Sequence, residues 1–99
     1  MDRIEWTYEE ILASVQAYQE MLDMELAGQP YNKTEVRRGL LSGALSGRTH
    51  GSIEMRMCNI STVLHDQGER YINGYKPREH VGTHVHQMIR KALTQVRAE

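Results

Sequence analysis

Apolar positions recur at helical spacing in four separate stretches of the chain, each bounded by residues that start or stop a helix. In the first, Ile11, Leu12, Val15, Tyr18, Leu22 and Leu26 share one face. The preceding Thr7-Tyr8-Glu9-Glu10 fits a capping box, in which hydroxyl and carboxylate each bond the other residue's backbone N–H. Glu9 and Glu10 also suit the positive end of the helix dipole, and Trp6 is placed to close over the first turn. Gly28 stops this helix and Gln29-Pro30-Tyr31 makes the turn.

The second stretch starts at Asn32 as cap, with Glu35 at the third helical position. Val36, Leu40, Leu41, Ala44 and Leu45 form its apolar stripe. Gly39, Gly43 and Gly47 recur every four residues beside it. A glycine inside a helix costs about 0.5–1 kcal/mol relative to alanine, so the repeat predicts a neighbouring helix in close approach. Arg37 and Arg38 alongside exclude a membrane reading of that pattern.

Thr49 caps the third stretch, whose inner face is Ile53, Met57, Ile60 and Leu64 and which stops at Gly68. Its other faces carry Glu54, Arg56, Asn59, Thr62 and His65. A polar loop follows over 69–76, with Asn73-Gly74 as a turn and Tyr71-Ile72 as a short extended piece. In that loop Tyr71 is assigned to the core, and Tyr75 is left between core and surface. Pro77 suits the first turn of a fourth helix with Val81, Val85, Met88, Ile89, Ala92 and Val96 on its apolar face. Gly82-Thr83 weakens that turn and allows the regular helix to begin later.

These patterns predict an all-α fold: a compact four-helix domain, helix-turn-helix-like in its centre. The helices span about 7–27, 33–46, 50–67 and 78–97, within a single domain over 1–99. Ninety-nine residues suffice for one domain, which buries only about 60–65% of its unfolded surface. With 39% hydrophobic and 25% charged residues, the chain carries no disorder signature. Cys58 is the only cysteine, so neither an internal disulfide nor a cysteine-rich zinc site is possible, and a packing role is expected for it. No apolar run approaches the roughly 20 residues of a membrane span. Met1-Asp2-Arg3-Ile4-Glu5 lacks the basic-then-apolar order of a signal peptide, and a cytoplasmic location is expected.

The net charge of −1 conceals a split. Residues 1–32 carry one basic and seven acidic residues, whereas 33–99 carry eleven basic and six acidic. Such asymmetry fits either a polyanion-binding face with an acidic outer face, or two halves that attract each other within the fold.

No phosphate loop, catalytic triad or metal-hydrolase helix motif occurs, so no catalytic residues and no cofactor are expected. His80, His84 and His86 cannot all point one way from one helix, and solvated surface histidines are the expected reading, with no metal. Binding offers more. Two helices joined through Ser46-Gly47-Arg48-Thr49 match a helix-turn-helix, in which the start of the second helix meets base edges. Arg48, Thr49, His50, Ser52, Arg56 and Asn59 are then the candidates to face duplex DNA through helix 50–67. Arg37, Arg38, Lys76 and Arg78 are the candidates to hold phosphates. In a plain bundle the same residues cap helices, pair with carboxylates or face solvent.

Two resemblances point the same way. Trp6-Thr7 with Glu9-Glu10, then Gly47-Arg48-Thr49, Ser52-Ile53 and Arg56, resembles the skeleton of Myb/SANT-type domains. The later tryptophans of that family are absent, and the first helix and linker are longer. From about Trp6 to Val81 the chain resembles a small helical domain at the N-terminus of restriction-type HNH nucleases and other bacterial defence proteins. The matching runs are Tyr31-Asn32-Lys33, Gly47-Arg48-Thr49, Gly51-Ser52-Ile53-Glu54, Asn59-Ile60-Ser61, Val63-Leu64 and Gly74-Tyr75-Lys76-Pro77. This resemblance implies a DNA-directed accessory module in a bacterial or phage defence system, with a nuclease or other defence protein as partner. No HNH motif follows, so cleavage is not implied. The alternative is a protein-interaction or homodimerisation domain that uses the glycine stripe or the acidic first helix.

Overall fold

Thr7 and Glu10 do form a capping box: the Glu10 N–H donates to Thr7 Oγ1 at 3.1 Å and the Thr7 N–H to Glu10 Oε1 at 2.9 Å. From there the computed structural model, which describes residues 5–79 and 81–99, runs through α1 (Tyr8–Leu26), α2 (Lys33–Leu41), α3 (His50–Asp66) and α4 (Thr83–Ala98). Among the described residues there is no strand, and no helix is long and apolar enough to cross a membrane. The fold is all-α with four helices, and its Cα radius of gyration of 12.8 Å is that of a close-packed chain of this length.

α1 and α3 end alike, and for the reason their glycines suggest. Gly28 and Gly68 take φ of 72° and 74°, the left-handed conformation a side chain resists. Gln29 N–H then reaches Met24 O at 2.8 Å and Glu69 N–H reaches Leu64 O at 2.9 Å, closing Schellman motifs over otherwise orphaned carbonyls.

α2 is shorter than its periodicity predicts. It stops at Leu41 rather than near residue 46, and turns carry the chain over 42–47. Leu45 explains the break. Its side chain is fully buried while its N–H reaches back to Leu40 O at 2.8 Å, one residue further than the α-helical repeat. The eight residues 42–49 between α2 and α3 also exceed the three or four of a helix-turn-helix turn.

α4 begins at Thr83, later than residue 78. Pro77 lies in the connection because the backbone at Arg78 is tied to α3: Thr62 Oγ1 lies 2.7 Å from both Arg78 N and Arg78 O. Tyr71-Ile72 is not a strand. Ile72 is instead a fully buried anchor, its N–H donating to the Tyr18 hydroxyl at 2.8 Å.

The core is built on α1, which packs most extensively against α4 and next against α3. Ile11, Val15, Tyr18 and Leu22 meet Ile53, Met57, Ile60 and Leu64 of α3 and Ile89, Ala92 and Leu93 of α4. Leu26, the last member of the expected stripe, is 50% exposed. α2 supplies no fully buried residue and shares no contact with α4. Its underside, Val36, Leu40 and Leu41, is half-buried against the core. No neighbouring helix approaches its glycine stripe: an added Cβ meets nothing within 4 Å at Gly39 or Gly47, and only Gly39 O, at 3.4 Å, at Gly43. Cys58 is buried, and Tyr75 proves the more buried of the two loop tyrosines, with Tyr71 half-exposed against His65.

Candidate nucleic-acid interface

The ten residues singled out for DNA fall into separate groups. The first is internal. Arg48 leaves the chain just before α3 and turns towards α1, where its Nε donates to Glu10 Oε2 at 2.8 Å and its Nη2 to Glu10 Oε1 at 2.7 Å. Nη2 also donates to Glu5 O at 2.9 Å, and the guanidinium stands 4.7 Å from the Trp6 ring centroid. A forked pair of this kind is among the stronger charge-assisted contacts in proteins. The Arg48 and Glu10 side chains are only 12% and 18% exposed. The Arg48 hydrogen bonds hold the Glu10 carboxyl at about 2, against the opposing effect of its partial burial.

Arg56, two turns into α3, reaches the same tryptophan at 4.7 Å and donates from Nη1 to Asn59 Oδ1 at 2.7 Å. Burial, and then the like charge of Arg48, push its pKa down. Its Nε is buried with no hydrogen-bond partner among the described residues. Asn59 is itself 5% exposed. Thr49 and Ser52 form a second capping box, each backbone N–H bonded to the other's hydroxyl at 3.1 Å. Arg48, Thr49, Ser52, Arg56 and Asn59 therefore serve first to join α3 to α1 and to start α3. Met57 through Ser61 are all buried, so α3 is covered in its middle. What its first two turns leave open is Thr49, His50, Gly51 and Met55.

The second group is external. Lys33, in the first turn of α2, donates to Gly74 O at 3.1 Å and lies 4.3 Å from the centroid of the Tyr75 ring. The approach is close enough that a Cβ on Gly74 would sit 3.3 Å from Lys33 Nζ. Arg37, one turn on, is near enough to Tyr75 to oppose the rise of its hydroxyl pKa, which burial and then Glu54 push to about 12. Arg38, the next residue of α2, and Lys76, the next residue of the loop, are exposed. Arg37, Arg38 and Lys76 have no side-chain hydrogen bond or ion pair among the described residues.

Arg78 stands apart, held by Thr62 through its backbone, with its side chain in a shallow cleft shared with His65, Asp66 and Glu79. Sequence reasoning missed the Trp6–Arg48–Glu10 cluster and the Lys33–Tyr75 contact, because the partners lie 38 and 42 positions apart and carry no local spacing signal. Outwardly, α1 exposes Glu9, Glu20 and Asp23, so part of the acidic share of the charge split is solvent-facing, while Glu10 and Glu25 are bonded within the fold. Among the described residues no three metal-ligating side chains converge, and His80 lies outside those residues. Compared with known proteins, the chain matches no family model, no curated protein and no solved structure.

Proposed function

We propose that the chain is a non-catalytic DNA-binding module that grips duplex phosphates through α2 and the loop behind it. The observation that carries this reading is the contrast between its cations. Arg48 and Arg97 are paired with carboxylates, whereas Arg37 and Arg38 of α2, and Lys76 of the loop that Lys33 ties to α2, have no carboxylate bonded to them among the described residues. Exposed, uncompensated cations concentrate phosphates by long-range attraction and bind them with counterion release. Arg78, which stands apart beside α3, adds a separate cation, and His50 with Thr49 offers the start of α3 to a phosphate or a base edge. With Arg48, Arg56 and Asn59 committed internally, the contact rests on backbone rather than base reading. The resemblance to defence-protein domains supplies the setting: a cytoplasmic accessory module acting beside a nuclease or another defence protein.

The test is fluorescence anisotropy with a labelled duplex at about 50 mM salt, where backbone contacts are strong. The expected result is micromolar or tighter binding, reduced at least about tenfold in Arg37→Glu/Arg38→Glu. Absence of wild-type binding removes the proposal. The open space at Gly39 favours a second reading, a homodimer formed across α2, for which light scattering would show a concentration-dependent, salt-resistant dimer.

A further inference from the structure

Away from α2, which shares no contact with α4, the outer face of α4 and the end of α3 form a shallow polar cleft of about 350 Å³. That volume lies at the lower end of the range for small-ligand clefts. Among the described residues its lining is Gln67, Gln87, Arg90, Lys91 and Thr94: two cations, two amides and a hydroxyl, with no carboxylate. Gln87, Arg90, Lys91 and Thr94 follow one another at i, i+3, i+4 and i+7 and so share one face of α4.

The neighbouring carboxylates are held elsewhere. Asp66, next to Gln67, lies 3.4 Å from His86 Nε2 and 3.9 Å from His65 Nδ1. Glu69 pairs with Arg97 at 2.9 Å. Lys91 is placed by its 4.8 Å approach to the Tyr8 ring, whose hydroxyl is in turn fixed to Gln95 Oε1 at 2.8 Å. Arg90 has no side-chain partner among the described residues.

We infer that this cleft binds a phosphoryl oxyanion, with the Arg90 fork and the Lys91 ammonium on the charge and the Gln67 and Gln87 amides on the remaining oxygens. The Thr94 hydroxyl is donated to Arg90 O at 3.1 Å. A planar guanidinium beside an ammonium suits phosphate geometry, and the amides add donors without adding charge. Among the described residues no aromatic side chain lines the cleft, so the ligand is recognised by its phosphate and not by a stacked base. The source is either a small phosphorylated molecule or the backbone of a nucleic-acid strand. Because α2 and α4 share no contact, the site is independent of the duplex interface proposed above.

Amide chemical-shift mapping of the full chain tests it, with pyrophosphate and a short single-stranded oligonucleotide as separate titrants. Saturable shifts centred on Gln67 and residues 87–94 are expected. Arg90→Ala/Lys91→Ala should weaken them at least about tenfold, the loss expected for charge-assisted hydrogen bonds. Arg37→Glu/Arg38→Glu should leave them in place, which separates this site from the α2 interface. A response to pyrophosphate identifies a small phosphorylated ligand; a response to the oligonucleotide alone identifies a strand backbone. Shifts scattered over every cationic residue, or binding unchanged in the alanine variant, would overturn the assignment.

Discussion

Glu10 accepts the Thr7 backbone N–H within its own first turn and, from across the fold, the Arg48 guanidinium. The first contact is legible in the sequence because the residues are three positions apart and the capping box is a local pattern. The second is not, since nothing in the spelling of residues 48 and 10 ties them together. Glu10→Gln should lower stability by about 1–3 kcal/mol in urea denaturation at neutral pH, because the Arg48 fork is then left against an uncharged amide. The pH dependence has a definite sign. The folded carboxyl sits at about 2, below its ordinary 4.5, so its contribution is complete above about 4.5 and is lost as pH falls towards 2. Wild-type unfolding midpoints should drop through that window more steeply than those of Glu10→Gln, and parallel curves would show that the pair contributes nothing. Trp6 is the sole tryptophan, so its emission reports directly on the cluster it forms with Arg48 and Arg56. Arg56→Ala should shift that emission and cost about 1–3 kcal/mol, with Asn59 left buried and unpaired.

At the scale of elements, helix existence followed from periodicity, and helix length did not. α1 and α3 end where their glycines predict, because a positive φ at Gly28 and Gly68 is a purely local demand. α2 ends early because Leu45 has a better place in the core than on a continued helix, a tertiary fact the stripe cannot reveal. The glycine repeat misled for a related reason: it suggested a packed neighbour, and the chain supplies none. Gly39→Ala should therefore stabilise the protein by about 0.5–1 kcal/mol in thermal or urea unfolding. Destabilisation, or loss of a dimer in the same variant, would instead place a partner against that face. The connection before α4 is tied to α1 and α3 through the Tyr18 hydroxyl, which meets Ser61 Oγ at 2.7 Å and accepts the Ile72 N–H, as well as through Thr62 at Arg78. Tyr18→Phe leaves that N–H buried without a partner and should cost about 1–3 kcal/mol, with faster hydrogen exchange at Ile72 as its local mark.

For the whole molecule, the charge split read from the sequence becomes two arrangements at once. Part of it is internal attraction, as Arg48 on Glu10 shows, and part remains outside, with acidic residues on α1 and cations on α2 and its loop. The candidate interface was half legible. On α2 Arg38 stands exposed and Arg37 half-buried, whereas the polar residues at the start of α3 proved to be the joint between helices. Residue type alone could not separate the two, because arginine, asparagine and serine serve equally to read DNA and to satisfy a buried junction. The salt dependence of duplex affinity decides between them. Each phosphate contact contributes about −0.9 to the slope of log affinity against log salt. The wild-type chain should show a slope of about −3 to −4, and Arg37→Gln/Arg38→Gln should reduce its magnitude by about 2, with Arg56→Ala leaving it unchanged. An unchanged slope in the α2 variant, or a loss confined to Arg56→Ala, would contradict the account and return recognition to α3.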